Sequence, residues 1–229
     1  PNDWGSSRRN ILLGVEKSLK RLKTDWLDIV YLHLWDDAPA LEQSLIAMDT
    51  LIRQGKVMYL GISNFAAWQT MKAVAITESR NLAPVACIQP MYNLVKRQAE
   101  VEILPQAMAE GIAVCPYNPL AAGLLTGKYQ RGESGRIDVN DMYKKRYASP
   151  QYTEIAERFV PYAESAGKSP AALALAWTMS HPAITSTIIG ARNIAQLNDC
   201  FGCLDIRLSP EERAKITALS VDPPLATDR

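Results

Sequence analysis

The residues best suited to chemistry in this sequence are four polar, turn-forming clusters that each follow an apolar run. Such runs read as strands of a parallel sheet buried on both faces, and these sheets place their chemistry at the carboxyl ends of the strands. The sequence therefore predicts one wall of a cofactor site, built from Ser63-Asn64-Phe65, Gln89-Pro90-Met91-Tyr92-Asn93, Pro116-Tyr117-Asn118-Pro119 and Gly190-Ala191-Arg192.

Alternating helices and strands must position these clusters. Apolar residues recur at helical spacing between the strand runs, and glycines such as Gly55 and Gly111 close two of the helices. The predicted strands are Trp26–Leu34, Val57–Ile62, a run from Val85, Ile112–Cys115 and Thr185–Ile189. The predicted helices are Ile11–Lys23, Leu41–Ile52, Trp68–Asn81, Val101–Glu110, Tyr152–Ala166, one opened by Ser169 and running to Ser180, one from Ile194 and one capped by Ser209.

This alternation predicts a parallel α/β fold, either an open doubly wound sheet or a closed barrel. No Gly-x-Gly-x-x-Gly follows a strand run, which counts against a Rossmann-type fold. Five strands are fewer than the roughly eight that close a barrel, so the sheet would expose two edges. We expect a single domain over residues 1–229, a (β/α)8 TIM-barrel type that is incomplete as given and whose open edges an oligomer could cover.

Composition excludes several functional classes. The formal net charge is +1 and no basic stripe with interleaved aromatics occurs, so we expect no nucleic-acid partner. No apolar stretch approaches the roughly 20 residues of a membrane span, and no signal-peptide pattern opens the sequence. We expect a cytoplasmic protein that does not bind membranes.

The four cysteines read as structural residues. Cys87 and Cys115 fall in predicted buried strands. Cys200 and Cys203 form a Cys-x-x-Cys, but they lie in or after a helix, not between a strand and a helix, and two further zinc ligands are not offered. We therefore predict no metal site.

Taken together and in this order, several strings resemble the aldo/keto reductases. They extend from Ser7 to Ala218 and include Leu27-Asp28-Ile29-Val30-Tyr31-Leu32-His33, Gly61-Ile62-Ser63-Asn64-Phe65, Gln89-Pro90-Met91-Tyr92-Asn93, Pro119-Leu120-Ala121-Ala122-Gly123-Leu124-Leu125-Thr126-Gly127-Lys128-Tyr129 and Gly190-Ala191-Arg192 with Gln196-Leu197. The resemblance implies a barrel that binds NADP(H) across the strand ends and reduces aldehydes or ketones to alcohols.

The resemblance also implies cofactor contacts. Ser63, Asn64 and Gln89 would hold the nicotinamide carboxamide, and the ring would stack on Tyr117. The pyrophosphate would meet the loop that contains Leu120, Gly123, Leu125 and Lys128, and the adenosine 2'-phosphate would meet Gly190 and Arg192. Gln196 and Asp199 match the family's polar positions in the helix that follows, and Asn118 and Pro119 are further cofactor-binding positions. Cys200 departs from the family, which commonly has an asparagine there.

The resemblance implies four catalytic residues. A tyrosine acts as the general acid, a lysine and an aspartate adjust its pKa, and a histidine orients the carbonyl oxygen of the substrate. His33 alone is found, and we expect the other three to come from strand units preceding Pro1. Tyr31, Tyr92 and Tyr117 lack a lysine that would lower their pKa from about 10. We therefore expect little or no carbonyl reduction by this chain alone.

Three interpretations remain open. The sequence is part of an ordinary reductase, a naturally truncated and non-catalytic NADP(H)-binding or regulatory module, or a truncated enzyme with a rebuilt site. We favour the first. By resemblance to the family, a small carbonyl substrate would meet Trp35, Met91, Tyr92 and the loop Tyr129–Pro150. We expect the part Arg131–Ser149 of this loop to be mobile until cofactor binds.

Overall fold

The computed structural model describes residues 4–38 and 40–227, so residues 1–3, 39, 228 and 229 of the predicted domain lie outside the described residues. The strands are β1 (Leu27–Leu32), β2 (Val57–Ser63), β3 (Val85–Gln89) and β4 (Ala113–Val114). The helices are α1 (Arg8–Leu22), α2 (Leu41–Arg53), α3 (Ala67–Ser79), α4 (Ile103–Ala109), α5 (Arg136–Val139), α6 (Asp141–Arg146), α7 (Pro150–Ser165), α8 (Pro170–Met179), α9 (Ile194–Phe201) and α10 (Pro210–Thr217).

The chain divides into two compact units. The first, called here the strand unit, comprises the described residues up to Pro90 together with Gln106–Val114. The second, the helix unit, comprises Met91–Pro105 and the described residues from Cys115 onward. The expectation of one domain stays a prediction.

The strand unit contains a four-stranded parallel sheet in the order β1-β2-β3-β4. Tyr31 of β1 pairs with Gly61 of β2, which pairs with Cys87 of β3, so the three side-chain positions share one face. Helix α2 buries Leu45 and Met48 and contacts α1 and β2. The predicted parallel α/β class is confirmed.

The helix unit is built around α7 and α8. Every residue of α8 from Ala171 to Thr178 is buried, as expected for a helix that is apolar on all sides. The ring of Trp177 is completely buried, as is the ring of Phe159 on α7. Proline opens both helices, where its missing N–H costs nothing.

Two sequence predictions are wrong. Thr185–Ile189 is apolar enough to be predicted as a fifth strand, but it has no strand structure; the Ile188 N–H donates to the Pro116 carbonyl (2.9 Å). The stretch 131–149 contains α5 and α6 where a loop was expected. Asn140 caps α6 by accepting from the Met142 and Tyr143 amides.

Candidate cofactor and active site

Hydrogen bonds from polar side chains connect the ends of three strands in the strand unit. The Ser63 hydroxyl donates to the Gln89 main-chain carbonyl (2.9 Å), and the Asn64 carboxamide donates to the His33 carbonyl (2.9 Å) and to the Ser63 hydroxyl (3.0 Å). Asn64 adopts a left-handed conformation with φ of 56°, which asparagine tolerates better than most residues. Four predicted site residues thus meet where β1, β2 and β3 end.

These hydrogen bonds leave the side-chain amide of Gln89 available to bind a ligand. Ser63 is buried and its hydroxyl proton is committed to the main chain, so it shapes the site more than it offers a donor. The Gln89 side chain is half-buried, and within the described residues its carboxamide has no hydrogen-bond partner. An amide in that state suits the complementary donors and acceptors of another carboxamide.

His33 lies exposed at a cavity of about 610 Å³ in the strand unit. The cavity is lined by aromatic Trp4, Tyr31 and Trp35, and by Asp36 beside the histidine. The Asp36 carboxylate accepts from the Ser6 amide (2.8 Å), the Ser6 hydroxyl (3.0 Å) and the Ala38 amide (3.0 Å). The bond from the Ser6 amide is the main cause that lowers the pKa of Asp36, so the cavity has a fixed negative charge.

The Trp35 ring belongs to an aromatic cluster at the start of α3. It lies 5.4 Å from the ring of Phe65 and 5.4 Å from that of Trp68, and its Nε1 donates to Asp37 (2.6 Å). The Lys72 ammonium stands 5.8 Å from the ring. Trp35 is therefore held as a rigid wall of the cavity, and its contact with a substrate stays a prediction.

Tyr31 packs flat across the sheet. A Cβ added to Gly61 would lie 2.6 Å from two ring atoms of Tyr31, so the ring occupies the space that the glycine leaves. The Cys87 thiol reaches the Tyr31 hydroxyl (3.4 Å). This arrangement fits the filler role expected for Tyr31.

In the helix unit, the 118–127 loop carries an unusual run of left-handed residues. Asn118 (φ 61°), Ala121 (50°), Ala122 (57°) and Gly123 (99°) all have positive φ, and two of them are alanines. Non-glycine residues in this region cost about 1–3 kcal/mol each and cluster at ligand clamps. The Asn118 side-chain oxygen accepts from the Ala122 amide (2.8 Å), which stabilises the turn.

The other predicted cofactor-binding residues in and next to this loop differ in how far their side chains are buried. Leu125 is fully buried and Leu120 packs on the apolar cluster around Leu175, so only their backbones are open to a ligand. Pro119 is buried. Burial raises the pKa of Tyr117, against the opposing charge of Arg146, so its hydroxyl is a weak acid.

One cationic side chain contacts the Tyr129 ring in the helix unit, and the charges of two arginines act on its hydroxyl. The Lys128 ammonium stands 5.4 Å from its ring. Burial raises the pKa of Tyr129, while the positive charges of Arg192 and Arg136 act in the opposite direction. The Tyr129 hydroxyl donates to the Ala122 carbonyl (3.0 Å) and accepts from the Ile137 amide (3.2 Å), which connects the Tyr129 ring to the 118–127 loop.

The N-terminus of α9 adjoins Arg192. Asn193 caps the helix by accepting from the Gln196 amide (2.9 Å), and the Gln196 side chain accepts from the Arg192 amide (2.9 Å). A Cβ at Gly190 would meet no atom within 4 Å, so the space beside this backbone is open. Asp199 lies exposed one turn along the helix. Lysine, arginines and a helix N-terminus form a donor set that fits phosphate groups.

Sequence reasoning missed a buried cluster around Tyr92. The Tyr92 hydroxyl donates to Glu100 (2.5 Å) and accepts from Arg213 (3.0 Å), and Arg97 also donates to Glu100 (2.7 Å). Burial alone would raise the pKa of Glu100, but the hydrogen bonds from Arg97 and Tyr92 hold that pKa below its ordinary value. Tyr92 is completely buried, and its contact with a substrate stays a prediction.

The cysteine pair behaves as core. Cys200 and Cys203 are buried and form no disulfide, and burial raises the pKa of both thiols. Among the described residues no group of histidine, cysteine or acidic side chains is arranged to hold a metal ion. None of the described helices has the length and apolar character to cross a bilayer.

Comparison with known proteins decides the family. The model of the aldo/keto reductase family matches residues 1–221. The chain belongs to the aldo/keto reductase family. Among aldo/keto reductase relatives, Uncharacterized oxidoreductase YrpG of Bacillus subtilis is 36% identical over 217 residues, which are 92% of this chain and 64% of YrpG.

Two further relatives of this aldo/keto reductase chain are similar over nearly its whole length. "Probable voltage-gated potassium channel subunit beta" of Oryza sativa is 35% identical over 243 residues, covering 100% of this chain and 72% of the relative. Protein tas of Escherichia coli is 31% identical over 236 residues, 95% of this chain and 68% of the relative. The chain thus spans about two thirds of the length of these relatives, and the predicted family is confirmed.

Proposed function

We propose that this chain forms the NADP(H)-binding part of an oxidoreductase that reduces aldehydes or ketones. The observation that carries the proposal is the group of Lys128, Arg136 and Arg192 around Tyr129, beside the N-terminus of α9. Three cations and a helix N-terminus suit a ligand with several phosphates. When bound, NADPH would supply the hydride that reduces the carbonyl carbon.

In this proposal the two units have separate tasks. In the helix unit, Lys128, Arg192 and the backbone of the 118–127 loop bind phosphates, while Gln196 and Asp199 contact the adenosine. Tyr117 offers a flat face to the nicotinamide ring. In the strand unit, Gln89 holds the carboxamide, Ser63 and Asn64 fix the strand ends, and His33 donates a hydrogen bond that orients the carbonyl oxygen.

A non-catalytic NADP(H)-binding module is the second candidate. It is favoured by the tyrosines of the helix unit, because burial raises the pKa of Tyr92, Tyr117, Tyr129 and Tyr147 alike. A positioned acid typically contributes about 10²–10⁴-fold to proton transfer, and such phenols are poor acids. Assaying a longer product that carries about three more β/α units with NADPH and 4-nitrobenzaldehyde separates the two candidates, because only the first predicts that the longer product turns over the aldehyde.

Cofactor binding is tested by fluorescence titration with NADPH and NADH. We expect Arg192→Ala to weaken NADPH binding about tenfold, the loss of roughly 1.4 kcal/mol from a charge-assisted bond to an exposed phosphate, and to leave NADH binding unchanged. Arg207→Ala, which removes another exposed arginine of the helix unit, is the matched control. Equal affinities of the unmutated chain for both cofactors, or equal losses in the variant, would contradict the proposal.

A further inference from the structure

A buried phenol joins two loops of the helix unit. The Tyr147 hydroxyl accepts hydrogen bonds from the side-chain amides of Asn118 (2.6 Å) and Asn93 (3.3 Å), and the Tyr147 side chain is 5% exposed. Asn93 follows β3 along the chain and Asn118 follows β4. Tyr147 itself comes directly after α6, in the stretch that the sequence predicted as a free loop.

Asn118 transmits this contact to the 118–127 loop. Its side-chain oxygen accepts from the Ala122 amide (2.8 Å), and its main-chain carbonyl accepts from the Asn93 side chain (3.0 Å) and the Ala121 amide (3.1 Å). The orientation of the Asn118 carboxamide is therefore set by Tyr147 at one end and by Ala122 at the other. Without the phenol, the Asn118 amide nitrogen would keep only a weak contact with the Met91 sulfur (3.8 Å), in a backbone that is already strained.

The Tyr147 ring is itself fixed from outside. It packs edge-on against Tyr152 with centroids 5.9 Å apart, and the Lys96 ammonium lies 5.0 Å from the Tyr152 ring and 5.9 Å from the Tyr147 ring. Lys96 also donates to the Arg146 carbonyl (3.4 Å), next to Tyr147 in the chain. These contacts fix the position of the Tyr147 hydroxyl, and a fixed hydroxyl can hold its hydrogen-bond partners in one orientation.

We propose that Tyr147 is a positioning residue for the cofactor: through Asn118 it holds the 118–127 loop in the strained conformation that binds NADP(H). The inference rests on the proposed function for the identity of the ligand. The strain in Ala121 and Ala122 gives it a physical basis, because residues in this region keep their conformation only where their surroundings hold them there. Tyr147 touches no reacting atom in this account and is not a catalytic residue.

Tyr147→Phe tests the proposal by removing one hydroxyl and keeping the ring. Tyr152→Phe is the matched control, because within the described residues the Tyr152 hydroxyl has no hydrogen-bond partner and its ring would remain under Lys96. We expect the Kd for NADPH to rise about tenfold in Tyr147→Phe and less than twofold in Tyr152→Phe, by fluorescence titration. Similar thermal melting of the two variants would show that both remain folded.

A double variant separates positioning from general loosening. Asn118→Gly removes the carboxamide, and glycine adopts the left-handed conformation without strain. If Tyr147 acts through Asn118, adding Tyr147→Phe to Asn118→Gly changes the NADPH Kd less than twofold further. Independent effects that multiply in the double variant would overturn the proposal.

Hydrogen exchange of the ligand-free chain tests the loop directly. The Ala122 amide is expected to exchange at least fivefold faster in Tyr147→Phe and at the unmutated rate in Tyr152→Phe. An unchanged rate in Tyr147→Phe, or NADPH binding as tight as in the unmutated chain, would overturn the inference alone. Failure of the unmutated chain to bind NADPH would instead overturn the proposed function.

Discussion

Gly61→Ala is expected to lower the free energy of unfolding by about 1–2 kcal/mol. The added methyl group would lie 2.6 Å from Cδ1 and Cε1 of Tyr31 and 3.1 Å from the Cys87 thiol. Alanine in a strand would gain about 0.5–1 kcal/mol over glycine, but overpacking of a filled core costs about 1–3 kcal/mol. The steric cost outweighs the gain because the Tyr31 hydroxyl is held at Cys87, so the ring has little freedom to move aside.

Urea unfolding of the full chain measures this effect. Gly14→Ala is the control, since Gly14 lies exposed in α1 and an added methyl group there would meet no atom within 4 Å, so this variant should gain up to about 1 kcal/mol. In a Tyr31→Ala background the cost of Gly61→Ala should shrink below about 0.5 kcal/mol. Equal stability of Gly61→Ala and the unmutated chain, or a cost that persists without the ring, would refute the packing argument.

Three further outcomes are expected. Glu100→Gln should lower the free energy of unfolding by about 3 kcal/mol near pH 7, because it breaks a buried ion pair. Since the folded pKa of Glu100 is lowered, this loss of stability is present above its ordinary pKa of about 4.5 and disappears as the pH falls through the folded pKa. Urea titrations of both proteins across pH measure it. Limited proteolysis should cut within 131–149, and saturating NADPH should slow the cuts; cleavage indifferent to NADPH would contradict a lid role. Iodoacetamide should label half-buried Cys115 before Cys200 and Cys203 in the folded chain, and mass spectrometry showing equal labelling would contradict their placement in the core.

Local periodicity was enough to predict much of the fold. The apolar runs at Val57 and Val85 became β2 and β3, and helices such as α2 begin and end within a few residues of their predicted limits. Ser63, Asn64 and Gln89 meet as expected because carboxyl ends of neighbouring parallel strands lie at the same edge of a sheet. These features depend only on residues close in sequence and on one rule of sheet geometry.

Features that depend on distant partners were not predictable in this way. Thr185–Ile189 has the composition of a strand, but a strand requires a neighbouring strand in register, and the bond from Ile188 to Pro116 does not extend into a ladder. Tyr147 contacts Asn118 and Asn93, which lie 29 and 54 residues away, and no local pattern marks that meeting. Two residues in this polar stretch could have indicated α5 and α6: Asp138, which accepts from the Gly135 amide at the start of α5, and Asn140, which caps α6.

The bond between Asn64 and His33 has a consequence for substitutions at position 33. Asn64 holds position 33 by its main-chain carbonyl, a group that every amino acid provides, while the exposed imidazole takes no part in that bond. The sequence can therefore change the side chain at this position without loosening the strand ends. A substitution of His33 should therefore leave the hydrogen bond between Asn64 and the main chain of position 33 in place.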